Sequence, residues 1–269
     1  MNKRKKTMWI IIAILAFLLL QNLLIGYRFS WGPFKALGDV RMSRLPGNAP
    51  EYGMSSVDKL PDNPLTGKKV LFLGSSVTYG ASSLREGIPE YFAARFGCEV
   101  TKEAVSGTTL VDNGANSYVQ RLLSKVDPAA DYALVVVQLS TNDATKTLPL
   151  GEISEDSEAA AFDTSTITGA MEFIIAYARE TWDCPVVFYT NARYDSAEYA
   201  TMVQRLMELQ EKWEIGVLDL WTSESFNNIS EADRALYMAD RIHPTKAGYR
   251  VWWCPVLEQQ LLAYLNTIG

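Results

Sequence analysis

"LFLGSSVTYG", Leu71 to Gly80, decides how the rest of the chain reads. Leu71–Leu73 extend an apolar run that starts at Val70, and "KVLFLG" has the length and content of a buried strand. The run stops at Gly74 and two serines, and small residues of this kind mark a turn out of a strand. Ser75 or Ser76 is then either an ordinary turn residue or a group that does chemistry. Which one applies depends on what other segments bring to the same place.

From Lys69 onward, strand-like and helix-like segments alternate. Leu84–Phe96 reads as a helix and "CEVTKEAV" (98–105) as a second strand. "NSYVQRLLSKV" (116–126) reads as a helix that Asn116 is placed to cap. "YALVVVQLS" (132–140) is continuously apolar and β-branched, as a strand buried on both faces should be. "ITGAMEFIIAYARETW" (167–182) is helical and "CPVVFYTNA" (184–192) a fourth strand. "SAEYATMVQRLMELQEKW" (196–213) is an amphipathic helix with Ser196 as its cap, and "GVLDLW" (216–221) is a fifth strand. The last segment, Thr245–Asn266, is helical, with a kink or split expected at Pro255. Such alternation predicts right-handed crossovers and an α/β fold, a three-layer α/β/α domain with a central parallel sheet of about five strands. Ligand sites in open parallel sheets lie beyond the carboxyl ends of the strands, where Ser75 and Ser76 fall.

Composition narrows the function classes. The chain has 269 residues, 48% of them apolar and 21% charged, which is ordinary for a globular protein. Its formal net charge is −6, and Lys3, Arg4, Lys5 and Lys6 supply four positive charges, so the rest carries −10. An acidic body of this kind argues against nucleic acid as a partner. The three cysteines, Cys98, Cys184 and Cys254, lack C-x-x-C spacing, and His243 is the single histidine, so no metal site is expected. Buried thiols are the simplest reading, with a Cys98–Cys184 disulfide as the alternative.

The N-terminus reads as a membrane signal. After the basic head, Met8 to Ile25 is apolar except for Gln21 and Asn22. That stretch is roughly 27 Å of helix at ~1.5 Å per residue, against a hydrocarbon core of ~30 Å. With no small-x-small site evident in "LLIGYRFSWG", an uncleaved single-pass anchor is favoured over a cleaved signal peptide and secretion. The basic head then stays in the cytoplasm and the body is extracytoplasmic. The expected organisation is residues 1–27 as head and anchor, 28–68 as a Pro- and Gly-rich stalk or wrapping segment, and 69–269 as the α/β domain.

The strand ends supply the parts that acyl transfer needs. Gly74-Ser75-Ser76 follows the first strand, "AVSGTTL" with Gly107 the second, "LSTND" with Asn142 the third, and "ADRIHPTKAGY" with Asp240 and His243 comes after the fifth. A serine hydroxyl is a weak nucleophile that needs a base within hydrogen-bond reach. Imidazole suits this role, and a carboxylate fixes its tautomer. Developing oxyanion charge needs donors such as backbone N–H groups or an Asn amide. Pro244 restricts His243 to extended geometry, and Asp240 is close enough in sequence to reach its Nδ1. Each residue also has a plainer reading: Ser76 as a helix cap, Asn142 as an Asx-turn residue, Gly107 as a left-handed turn.

Taken together, these segments resemble the SGNH or GDSL-type hydrolases from about Lys69 to the C-terminus. "GSSVT" is similar to the family's G-D-S-x-T block, which assigns the nucleophile to Ser76 where the residues alone left Ser75 open. Gly107 matches the glycine block, "STND" matches the G-x-N-D block at Asn142, and Asp240-Arg241-Ile242-His243-Pro244 matches D-x-x-H-P in full. Ser75 stands where Asp is usual and Ser140 where Gly is usual. The resemblance implies a flavodoxin-like fold and a triad of Ser76, His243 and Asp240. It also implies an oxyanion hole of the Ser76 and Gly107 N–H groups and the Asn142 amide, with no metal or organic cofactor. The implied substrate is a small-molecule or polysaccharide acyl ester. Alternatives are an O-acyltransferase of cell-wall sugars and an inactive carbohydrate-binding module. The acidic stretch "GEISEDSEAA" (151–160) reads as a solvated loop that borders the site and disfavours anionic substrates. Of Trp252 and Trp253, one is expected in the core and the other on a rim.

Overall fold

The structure, a computed structural model, describes residues 3–29 and 32–268. Its sheet consists of β1 (Lys69–Gly74), β2 (Glu99–Ala104), β3 (Tyr132–Gln138), β4 (Val186–Tyr189) and β5 (Gly216–Leu218). All neighbours pair in parallel, in the order β2-β1-β3-β4-β5. The helices are α1 (Lys3–Phe29), α2 (Ala36–Met42), α3 (Ser76–Tyr79), α4 (Ile88–Phe96), α5 (Tyr118–Lys125) and α6 (Thr141–Thr145). They continue with α7 (Ile167–Trp182), α8 (Ala197–Trp213), α9 (Glu224–Asn227), α10 (Glu231–Tyr237) and α11 (Cys254–Ile268). The five-stranded, three-layer architecture is the one the alternation of segments predicts.

Strand side chains alternate between two cores because successive residues point to opposite faces. Leu71, Leu73, Val135, Val137 and Phe188 pack with Tyr118 and Leu122 of α5, Ile174 of α7 and Leu206 of α8. Val70, Phe72, Leu134, Val136 and Val187 pack with Phe92 of α4 and Leu257 and Leu261 of α11. Each such side chain contributes about 1.5–3 kcal/mol of transfer free energy on burial. Chain direction across the sheet reverses between β1 and β3, so the ends of these two strands flank the switch point where open sheets bind ligands.

Several local expectations are corrected. The helix expected over Leu84–Phe96 is α4 and begins at Ile88, because Leu84 and Arg85 sit at φ 56 and 70, in the left-handed region. Ser117, not Asn116, caps α5, its Oγ accepting from Gln120 N–H at 3.1 Å. All three cysteines are free, and a Cys98–Cys184 bond is excluded by topology, since the two thiols belong to cores on opposite faces of the sheet. Both tryptophans are buried, Trp253 fully and Trp252 stacked on Phe226 at 4.7 Å. The irregularity expected at Pro255 takes the form of a wide π turn, Gly248–Trp253, that runs directly into α11. Helical residues continue on both sides of that turn, from Lys246 to Ile268, and its wider winding accommodates a proline that has no N–H to give the ladder.

The acidic stretch 151–160 is also displaced from its expected place. Lys212 Nζ on α8 donates to Ser154 O at 2.6 Å and Asp156 O at 2.8 Å, and Ala159 N–H donates to Glu180 of α7. These bonds hold the stretch against α7 and α8, away from the cavity that contains Ser76.

The segment before β1 is hydrogen-bonded to the α/β unit. Buried Asn48 donates to Met42 O and Ser82 O, and its Oδ1 accepts from Lys246 N–H. Arg250 donates to Gly53 O and to Ser56 O. Asp39 of α2 forms an ion pair with Arg85 at 2.9 Å. Before it runs α1, whose Lys3–Arg28 span contains an 18-residue window of mean hydropathy 2.5 outside the core, long and apolar enough to cross a membrane.

Candidate active site

Ser76 opens α3 directly after β1. Gly74 is required there because an added Cβ would overlap the Thr78 hydroxyl. Gly80, at φ 75, ends this single helical turn. The elbow is gathered by one side chain from β3. Gln138 Oε1 accepts from the N–H groups of Ser75 (2.9 Å) and Thr78 (3.1 Å) and from the Thr78 hydroxyl (2.9 Å). Ser76 is left almost buried, at 7% exposure.

His243 comes from the turn between α10 and the π turn. That turn is closed by an antiparallel bridge, Met238 to Pro244, with Ala239 N–H donating to His243 O at 2.9 Å. Asp240 sits inside it, and its Oδ1 accepts from the N–H groups of Ile242 (2.8 Å) and His243 (2.9 Å). The carboxylate also faces His243 Nδ1 at 2.9 Å through Oδ2. A carboxylate only accepts, so Nδ1 carries the proton and Nε2 is the free base. Nε2 lies 2.7 Å from Ser76 Oγ and accepts from its hydroxyl.

Burial raises the Asp240 pKa. The hydrogen bond and charge of His243 and the two backbone N–H donors outweigh that effect and lower it to about 2. The carboxylate therefore stays ionised while its side chain remains half exposed.

Gly107 and Asn142 reach the same cavity, of about 770 Å³, that contains Ser76, Asp240 and His243. Gly107 has φ 82 and open space around a would-be Cβ, so backbone conformation rather than crowding requires glycine. Asn142 Nδ2 donates to Thr108 O at 2.9 Å, tying the amide to the Gly107 loop. All five residues singled out in the sequence thus meet in one place.

Three supporting residues escaped the sequence reading. Gln138 gathers the elbow. Asp143, fully buried, accepts from the N–H groups of Leu110 and Val111 and so anchors the Gly107 loop. Burial pushes its carboxyl above the ordinary range, against the pull of Ser140 and those two donors. Arg121, 1% exposed, donates to Gly74 O and Glu103 O, each at 2.7 Å, clamping the ends of β1 and β2. Its one legible signal is a charged residue among Tyr118, Val119 and Leu122 on the buried side of α5. Ser140, at the position where Gly is usual, has a definite local role: its Oγ caps α6 by accepting from Asn142 and Asp143 N–H.

Comparisons with known proteins agree with this arrangement. The sequence profile described as the GDSL-like lipase/acylhydrolase family matches residues 72–251, a span that includes Ser76, Gly107, Asn142, Asp240 and His243. Among curated proteins, none matches the chain. Solved structures share the fold at low identity. One is a protein from Lactobacillus plantarum (19% identity, TM-score 0.60, covering 76% of this chain and 99% of that one). Another is assigned as a GDSL-like lipase, from Bacteroides ovatus (14%, TM-score 0.53, 75% and 99%). A third is a family two carbohydrate esterase from Clostridium thermocellum, in complex with cellohexaose (15%, TM-score 0.51, 78% and 67%). On the extent of the profile match, with the α/β/α fold in agreement, this chain belongs to the GDSL-like lipase/acylhydrolase family and is an ester-hydrolysing enzyme.

Proposed function

We propose that the protein is a membrane-anchored serine esterase that removes short, acetyl-like acyl groups from an extracytoplasmic substrate such as a carbohydrate or envelope polymer. The observation that carries this reading is the relay from Ser76 Oγ to His243 Nε2 and from His243 Nδ1 to Asp240. Ser76 Oγ attacks the ester carbonyl carbon while His243 Nε2 takes its proton. The tetrahedral oxyanion is held by the Ser76 and Gly107 N–H groups and the Asn142 amide. Ser76 begins a helical turn, where backbone N–H groups have no intrahelical acceptor and remain available to such a charge. The intermediate collapses to an acyl-Ser76 ester as His243 returns the proton to the leaving alcohol. A water molecule, deprotonated by His243, then attacks the acyl-enzyme, releases the carboxylic acid and restores the Ser76 hydroxyl.

The anchor is supported by the length and hydropathy of α1 and by its basic head. A carbohydrate substrate is in keeping with the carbohydrate esterase among the fold neighbours. The test is turnover of an activated acetate ester by purified Ser76→Ala and His243→Ala variants. Each should lose nearly all activity, and full activity in either overturns the reading. Free acid as the product distinguishes hydrolysis from acyl transfer to a sugar.

A further inference from the structure

The cavity above Ser76 has walls from two sources. One is the catalytic rim. The other is the junction between α1 and α2, which contributes Arg28, Lys35 and Arg41. Arg85 lines the cavity as well, and the carboxylates on its wall are Asp39 and Asp240. Both carboxylates are engaged, Asp39 with Arg85 at 2.9 Å and Asp240 with His243 at 2.9 Å. The Arg85–Asp39 pair is neutral, and Lys35 and Arg41 add positive charge to this wall in a protein whose overall charge is −6. A concave wall with an excess of positive charge attracts an anion that enters it.

The junction is tied together rather than loosely apposed. Gly26 of α1 packs against the Phe34 carbonyl so closely that an added Cβ would overlap it, and Arg41 Nε donates to Tyr27 O at 3.1 Å. Arg28 closes the apolar span, so the cavity mouth lies within about one helical turn of it.

We propose that the substrate is an acyl ester of an anionic alcohol, and that Lys35 and Arg41 form a subsite for its phosphate or carboxylate beside Ser76. This rests on the esterase reading and adds the substrate class to it. A short acyl group has no position for a charge, so the anion belongs to the leaving alcohol. It is gone once the acyl-enzyme forms. The subsite therefore acts on acylation, seen in kcat/KM, and not on deacylation, which depends only on the acyl group.

The experiment uses the full chain in detergent micelles and two aryl acetates of matched leaving-group acidity, one bearing a phosphate and one neutral. The wild type should favour the phosphate ester in kcat/KM by about tenfold at low ionic strength, and the preference should shrink as salt screens it. Lys35→Gln/Arg41→Gln should abolish the preference, and Lys35→Arg should keep it. The rate of acyl-enzyme breakdown should be the same for both esters. A wild-type ratio near one at low salt, or an undiminished ratio in the double variant, overturns the proposal. Both results leave the esterase reading standing, whereas neutral-ester turnover that survives in Ser76→Ala removes that reading first. An acetylated phospholipid in neutral vesicles and a soluble acetylated sugar phosphate then separate the sources. Preferred turnover of the first assigns the anion to a lipid headgroup, preferred turnover of the second to a soluble or polymer-borne phosphate, and turnover of neither overturns the proposal.

Discussion

Ser76 Oγ and His243 Nε2 lie 2.7 Å apart although 167 positions separate them in the chain. Two local devices fix the two ends. Gln138 holds the α3 elbow from β3, and the Met238–Pro244 bridge closes the turn that carries Asp240 and His243. Tyr249 links them, its hydroxyl donating to Val77 O at 2.7 Å, so the segment following His243 is seated on the residue following Ser76.

Asp240→Asn should lower kcat by about 10²–10⁴-fold, because an amide no longer selects the Nδ1–H tautomer. The pH dependence follows from its depressed pKa of about 2. A lowered folded-state pKa stabilises the fold above the unfolded value of ~3.9, and that contribution disappears as pH falls from about 4 toward 2. The side chain is half exposed, so the contribution is small. In denaturation at several pH values, wild type and Asp240→Asn should differ by a constant amount near neutrality and converge below pH ~4. Asp240 itself stays ionised above pH ~4, so acid loss of turnover in that range is not its protonation. Convergence at pH ~6 would contradict this assignment.

Asn142→Ala should reduce kcat by about 10²–10³-fold with little change in KM, as expected for a donor used mainly in the transition state. Steady-state kinetics on a neutral acetate ester supply the measurement. A rise in KM at constant kcat would make Asn142 a ground-state binding group instead.

Arg121→Met should destabilise the domain by about 1.5–3 kcal/mol, since it removes the charged donor that the Gly74 and Glu103 carbonyls share, while Gly74 O keeps only the ladder bond from Val105 N–H. Urea unfolding measures this directly. Arg121→Lys should recover only part of the loss, because an ammonium cannot span both strand ends with a planar fork. Full recovery would show that charge alone matters.

The cysteines should resist thiol reagents in the native protein and react on unfolding. Burial raises the pKa of Cys98 and of Cys184 to about 11 and that of Cys254 further, so little thiolate forms near neutrality. Reducing agents should leave the melting temperature unchanged. Native labelling at a rate near that of a free thiol would refute the buried assignment.

Element type and order were written into local patterning. Continuous β-branched runs at 134–137 and helical periodicity at 196–213 admit few alternatives, and the motif segments with Ser76, Gly107 and Asn142 follow strand ends because strands end where apolar runs do, whereas Asp240 and His243 lie beyond α10. Boundaries were less legible: left-handed Leu84 and Arg85 delay α4, since tertiary packing rather than propensity sets their backbone angles. The supporting residues Gln138, Asp143 and Arg121 were hidden because each works through backbone groups distant in sequence. The same holds for the 151–160 stretch, whose acidic composition shows that it is solvated but not which helices hold it.

By itself, the sequence determined that a parallel α/β sheet would bring a serine, a glycine, an asparagine and an Asp–His pair to one rim, because periodicity and turn chemistry are local properties. Only the tertiary structure decided that the hydroxyl meets the imidazole, and that a cationic wall at the α1–α2 junction overlooks them. Distances between remote segments are set by how helices pack on the sheet, and no short window of residues encodes that packing.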